Sequence, residues 1–229
     1  MTAAIDAGAL EIILVRHGET EWNHLRRIQG QIDVPLNAVG VRQAEAVAQR
    51  LARRPPTALY TSDLLRASQT AAPIAAACGL VAQPDQRLRE RNFGEFEGGF
   101  YDELRLTSPQ QHQRMMSRDL DFDLGGGETI RMLYRRACDA IVDIAARHPQ
   151  GCIVVVTHGG ILDCAYRLAT GLALDAPRTF GLFNASLNTI AVTEGSFRLL
   201  AWGDVDHLAA AVDEIDPRGR PSASVGKPG

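Results

Sequence analysis

The sequence predicts an α/β protein with three layers, α/β/α, in which helices cover both faces of a mostly parallel central sheet and a lid-like helical insert interrupts the regular pattern. Three observations carry this reading. Strand-like and helix-like segments alternate along the chain, as in βαβ units. The apolar runs Ile12-Ile13-Leu14-Val15 and Cys152-Ile153-Val154-Val155-Val156-Thr157 lack polar alternation, as strands buried on both faces do. Both runs end in a His-Gly pair, His17-Gly18 and His158-Gly159. That is the carboxyl end of a strand, where open α/β sheets place their ligands.

The elements follow in order. Glu11 to Val15 is the first strand, and Thr20 to Pro35 reads as a polar loop. Asn37 to Arg54 is a helix, since Val41, Ala44, Val47, Ala48 and Leu51 recur at helical spacing and Pro55-Pro56 stops it. Ala58 to Ser62 is a short strand. Leu64 to Cys78 is an alanine-rich helix closed by Gly79 and kinked at Pro73. From Val81 to Gly127 regularity fails. Two glycine-bearing stretches, Gly94 to Gly99 and Gly125-Gly126-Gly127, bracket a helical segment around Tyr101 to Arg118, so residues 93–127 are expected to form a lid, with Gly125-Gly126-Gly127 as its hinge into the Glu128 helix. Glu128 to Arg147 is a strongly amphipathic helix, and Ile161 to Thr170 is the helix after the second His-Gly strand. Thr189 to Val192 and Phe197 to Trp202 form an antiparallel pair. Residues 1–10 are read as an N-terminal extension, 11–208 as one domain and 209–229 as a flexible Pro-, Gly- and Ser-bearing tail.

Composition narrows the function classes. With 229 residues and 45% hydrophobic content the chain buries a substantial core, and its net charge of −3 has both signs dispersed. Neither nucleic-acid binding nor a polybasic membrane anchor is indicated. There is no membrane-length apolar run and no secretion signal at Met1 to Gly8, so a cytoplasmic location is expected. Cys78, Cys138, Cys152 and Cys164 are scattered, as buried free thiols are.

Further charged residues fall at strand ends. Arg66 stands in Thr61-Ser62-Asp63-Leu64-Leu65-Arg66-Ala67-Ser68-Gln69-Thr70, in the first turn of a helix at the same sheet edge as His17. Glu90 lies among arginines in Leu88-Arg89-Glu90-Arg91-Asn92-Phe93-Gly94. An imidazole is neutral and nucleophilic near neutral pH, and nearby arginines oppose its protonation. Two histidines and a glutamate also suit a metal, but Arg16 and Arg66 would repel a cation and no compact ligand spacing is present, so no metal or other cofactor is expected. Gly125-Gly126-Gly127 lacks the Lys-Ser or Lys-Thr of a phosphate loop. His24, His112, His148 and His207 read as surface residues, and Glu128 is placed to steady an arginine behind the site.

Together these pieces resemble the histidine phosphatase superfamily, the phosphoglycerate mutase-like fold. The matching motifs are Leu14-Val15-Arg16-His17-Gly18-Glu19-Thr20, Trp22-Asn23, Gln29-Gly30, Pro35-Leu36, Thr61-Ser62-Asp63-Leu64 with Arg66-Ala67 and Gln69-Thr70-Ala71, Leu88 with Glu90, Gly94 with Glu97-Gly98, Gly127-Glu128-Thr129 and Val156-Thr157-His158-Gly159-Gly160. The resemblance spans Glu11 to about Leu208. It implies that His17 attacks phosphorus and becomes a phosphohistidine, while Arg16, Arg66 and His158 surround the transferring group. Asn23, Gln29, Gly30 and Gly159 are implied as lesser substrate contacts. Glu90 is implied as proton donor to the leaving alkoxide and later as base for water. The implied partner is a small phosphorylated molecule, with a homodimer left open.

Members of such a family are phosphatases, mutases or non-catalytic binders. The interval from Glu90 to His158 is shorter than in bisphosphoglycerate-dependent mutases, and Gln29-Gly30-Gln31-Ile32-Asp33-Val34-Pro35-Leu36 looks like the broad-specificity phosphatase branch. A small-ester phosphatase is therefore expected, with phosphoglycerate mutase as the alternative. A protein-phosphohistidine phosphatase fits the lid less well, because a protein substrate needs an open cleft. Phe93, Phe96, Phe100 and Tyr101 are candidates for touching the leaving group, at least half of them being core instead.

Overall fold

The computed structural model describes residues 8–208. Residues 1–7 of the expected extension and the whole expected tail lie outside the described residues, and Leu10 belongs to the first strand. The strands are β1 (Leu10–Arg16), β2 (Ala58–Thr61), β3 (Ala82–Pro84), β4 (Gly151–Thr157), β5 (Leu187–Thr193) and β6 (Ser196–Asp204). They form one sheet in the order β3-β2-β4-β1-β5-β6. The first four are mutually parallel, and β5 and β6 join antiparallel at the far edge.

Because successive side chains of a strand point to opposite faces, each central strand feeds two cores. Ile12 and Leu14 of β1, with Ile153 and Val155 of β4, pack with Leu133, Ala137, Ile141 and Ile144 of helix α6 (Ile130–Ala146) and Ile161, Leu162 and Ala165 of helix α7 (Gly159–Thr170). Val15, Val154 and Val156 turn the other way, onto Val47 and Leu51 of α2 (Ala38–Ala52) and Ala67, Ala71 and Ile74 of α3 (Leu65–Cys78). This is the expected three-layer arrangement. Each fully buried Ile, Leu or Val side chain contributes about 1.5–3 kcal/mol.

Helix ends follow their local chemistry. Asn37 caps α2 by accepting from the Gly40 N–H at 2.8 Å, Thr129 caps α6 by accepting from Met132, and Gly79 closes α3 at φ 66°. The Thr20 to Pro35 loop contains a short helix, α1 (Glu21–His24), whose capping box is made by Thr20 and Asn23. The insert is two helices, α4 (Tyr101–Thr107) and α5 (Pro109–Met116), because Pro109 forces Ser108 out of the helical region. They close over a small core of Ile28, Phe96, Leu104, Phe122 and Leu124. At its base Gly94 and Gly127 are pressed together: a Cβ on Gly94 would stand 2.7 Å from the Gly127 nitrogen. The expected hinge is thus a packed seam at Gly127, while Gly126 is open.

Candidate active site

β1 and β4 are neighbours in register, Arg16 opposite Thr157, so both His-Gly pairs leave the sheet side by side. The His17 N–H donates to the Thr157 carbonyl at 2.9 Å, and the two imidazole centroids lie 5.1 Å apart. α3 starts beside the same edge and brings Arg66 in its first turn.

His17 is 3% exposed, and its Nδ1 lies 2.7 Å from the Gly18 carbonyl oxygen. A carbonyl only accepts, so Nδ1 carries the proton and Nε2 keeps a free lone pair. Burial, reinforced by the charges of Arg66 and Arg16, holds this imidazole well below its ordinary pKa of 6.5. His158 is held down likewise by burial, then by Arg66, His17 and Arg16, and its Nε2 shares a 2.8 Å hydrogen bond with the Ser62 hydroxyl.

The arginines are fixed by backbone carbonyls. Arg16 donates to Leu182, and Arg66 donates to Ile32 at 2.9 Å and Gly30 at 2.7 Å. Burial pushes both guanidinium pKa values down to about 10, which leaves them charged at neutral pH. Neither Nε has a hydrogen-bond partner, nor do Asn23 Nδ2 and His158 Nδ1, although all four atoms are buried. The Asn23 amide is oriented by its oxygen, which accepts from Thr20 and Asn184. Unpaired buried donors are costly, and a cluster of them around an imidazole is a site prepared for an anion.

Glu90 completes the group. Its Oε1 accepts from the Arg91 N–H at 2.7 Å, and its two oxygens lie 3.0 and 3.1 Å from the Gly160 nitrogen, at the start of α7. From behind, Arg136 donates to the Glu90 carbonyl and is gripped by Glu128 at 2.6 and 2.7 Å, the steadying expected of Glu128.

A cavity of about 240 Å³ covers these groups, and Arg16, His17, Asn23, Gln29, Gly30, Arg66, Glu90 and Gly159 all line it. His158 sits behind them, fully buried. Of the four aromatics, Phe93 and Tyr101 line the cavity, Phe96 is in the insert's core, and Phe100 packs against the Arg27 guanidinium. Of the expected surface histidines, His148 is bound to the Tyr60 hydroxyl and His207 to the Ala185 carbonyl, both partly buried. Among the described residues no group of three or more His, Cys, Asp or Glu is disposed to hold a metal ion, and no helix is long and apolar enough to cross a membrane.

Sequence reasoning missed Asn184, whose amide holds the His17 carbonyl at 3.0 Å from an irregular loop with no periodic signal. It missed the role of Ser62 as well, although that residue lies inside a quoted motif. Gly18 packs on α2, where a Cβ would meet the Gly40 carbonyl oxygen at 2.5 Å.

Comparison with known proteins agrees with this geometry. Residues 12–205 match the model of the histidine phosphatase superfamily (branch 1). The chain is 41% identical over 207 residues to phosphoglycerate mutase-like protein 4 of Arabidopsis thaliana, covering 89% of each chain. It is 39% identical over 211 residues to the metal-independent phosphoserine phosphatase of the same plant, covering 90% of this chain and 86% of the relative. The solved structure of Bacillus stearothermophilus YhfR superposes with a TM-score of 0.79 at 32% identity, over 86% of this chain and 98% of that one. With two strand-borne histidines, two buried arginines and a glutamate around one cavity, the chain belongs to the histidine phosphatase superfamily.

Proposed function

We propose that this protein is a metal-independent phosphatase of small phosphate monoesters that works through a phosphohistidine on His17. The observation that carries the reading is the set of buried, unpartnered nitrogens on Arg16, Arg66, Asn23 and His158 beside a neutral imidazole with a free Nε2. In this reading Nε2 attacks phosphorus while the bond to the leaving oxygen breaks and Glu90 gives that oxygen its proton. Glu90 then takes a proton from water, water attacks the phosphohistidine, and the P–N bond breaks to release inorganic phosphate. Arg16, Arg66 and His158 stabilise the equatorial oxygens, with Asn23, Gln29, Gly30 and Gly159 as further contacts. Hydrolysis is the activity in the name of one relative, the metal-independent phosphoserine phosphatase, and phosphoglycerate mutase, in the name of another, is the alternative. The proposal includes a cytoplasmic location, and sedimentation velocity decides between a monomer and a homodimer.

The test is rapid quenching with a 32P-labelled monoester. An acid-labile, base-stable protein phosphate is expected in the native chain and absent in His17→Ala, with inorganic phosphate as the product. Persisting turnover in His17→Ala, or isomerisation of phosphoglycerate with little hydrolysis, overturns the proposal.

A further inference from the structure

Beside the proposed phosphate-binding groups the cavity has an apolar lining. Leu133 and Leu182 flank the proposed proton donor: their δ-carbons lie 3.2 and 3.7 Å from where Cβ atoms on Gly160 and Gly159 would stand, and Glu90 sits against the same two glycines. Ile130, Met115, Leu174 and Pro177 extend this apolar wall from α6, from the insert and from the loop after α7.

The arginines of the lining also brace the fold, Arg118 through an ion pair with Asp163, and Arg91 and Arg27 through backbone carbonyls that leave their charge in place. Arg118 donates to the Leu174 carbonyl at 2.9 Å and to Asp163 at 2.8 Å, and Asp163 is also paired with Arg167 at 2.9 Å. Arg91 donates to the Glu128 and Phe122 carbonyls at 2.8 and 2.9 Å. Arg27 donates to Gly98 at 2.5 Å and lies 4.1 Å over the Trp22 ring. Arg178, half buried, adds its charge to the field at Arg16. Tyr101 stays an uncharged phenol, because burial and then Glu90 push it up to about 12.

We infer that the leaving groups this site takes are compact apolar or aromatic alcohols, in preference to the charged amino-acid or sugar-acid alcohols that the relatives' names suggest. The inference rests on the phosphatase reading. Volume sets its upper bound: the whole cavity is about 240 Å³, and about 150 Å³ suffices for benzene. A phosphate with one ring or a short alkyl chain therefore fills it. A carboxylate placed against Leu133 and Leu182 would lose its hydration for little return.

The test compares kcat/KM for ethyl, butyl and hexyl phosphate, phenyl phosphate, phosphoserine and 3-phosphoglycerate on the full-length protein. The expected result is a rise of about fourfold per added methylene until the cavity is full, with phenyl phosphate above both acids. Met115→Gln should flatten the chain-length trend. A flat series, or a tenfold preference for phosphoserine or phosphoglycerate that disappears in Arg178→Met, overturns the inference and leaves the phosphatase reading standing. Hydrolysis of none of the esters removes both.

Discussion

Both carboxylate oxygens of Glu90 lie within 3.1 Å of the Gly160 nitrogen, and a methyl group added to Gly160 would stand 2.1 Å from one of them. The absent side chain is therefore the seat of the carboxylate. Gly160→Ala should leave the fold intact, because the displaced atom is the end of a flexible side chain and alanine is favoured over glycine in a helix by about 1 kcal/mol. Turnover should fall roughly 100-fold, in the range seen when a general acid is misplaced. Steady-state kinetics beside thermal melting checks this, and unchanged kcat would show that the carboxylate's position does not matter.

Gly18→Ala should behave in the opposite way. Its new methyl meets backbone, the Gly40 carbonyl at 2.5 Å, which cannot swing aside. A loss of about 1–3 kcal/mol is expected from overpacking, read by urea denaturation, together with reduced activity from the shifted His17. Wild-type stability would mean that α2 moves freely against this turn.

Stability should fall as pH drops below 6.5. His17 and His158 have folded pKa values well below 6.5, and His207 is also lowered, chiefly by burial. Below pH 6.5 the unfolded chain therefore binds more protons than the folded one. The stability present above that pH is lost on acidification, at up to about 1.4 kcal/mol per pH unit for each histidine. Urea titrations at pH 7, 6 and 5 should show this slope, and His17→Gln should make it shallower. An identical slope in the variant would contradict the buried neutral imidazole.

Asp163 ties the insert to α7 by pairing with Arg118 and with the fully buried Arg167. Asp163→Ala leaves a buried guanidinium without its carboxylate, and a loss of about 3–5 kcal/mol is expected. Chemical denaturation measures it, and a change below 1 kcal/mol would show that the backbone carbonyls of Ala173 and Ala176 are partners enough for Arg167.

Much of this architecture was legible in the chain. Buried strands announce themselves as unbroken apolar runs, so the sheet edge carrying His17 and His158 could be read from Ile12 to Val15 and Ile153 to Val156. Arg66 followed from the helix start after Ala58–Thr61. β3 was invisible because it is three residues long, at the sheet edge, with Gln83 and Pro84 exposed. Asn184, Ser62 and Arg136 were equally silent, since each acts across a long stretch of chain and no local pattern marks a residue that supports another. The packing of Gly18 was silent for the same reason: its neighbour, Gly40, belongs to a helix whose docking no local sequence records.

In the sheet order, β4 fills the slot between β2 and β1. Until that strand has been synthesised and inserted, the first two strands have no edge to share, and neither His17 nor Arg66 has a counterpart across the gap. The reactive centre is therefore the product of a late, long-range closure in folding, the kind of contact that forms slowly. A nascent chain on the ribosome displays the Arg-His-Gly sequence early, yet it can acquire its phosphate pocket only after Thr157 has left the exit tunnel.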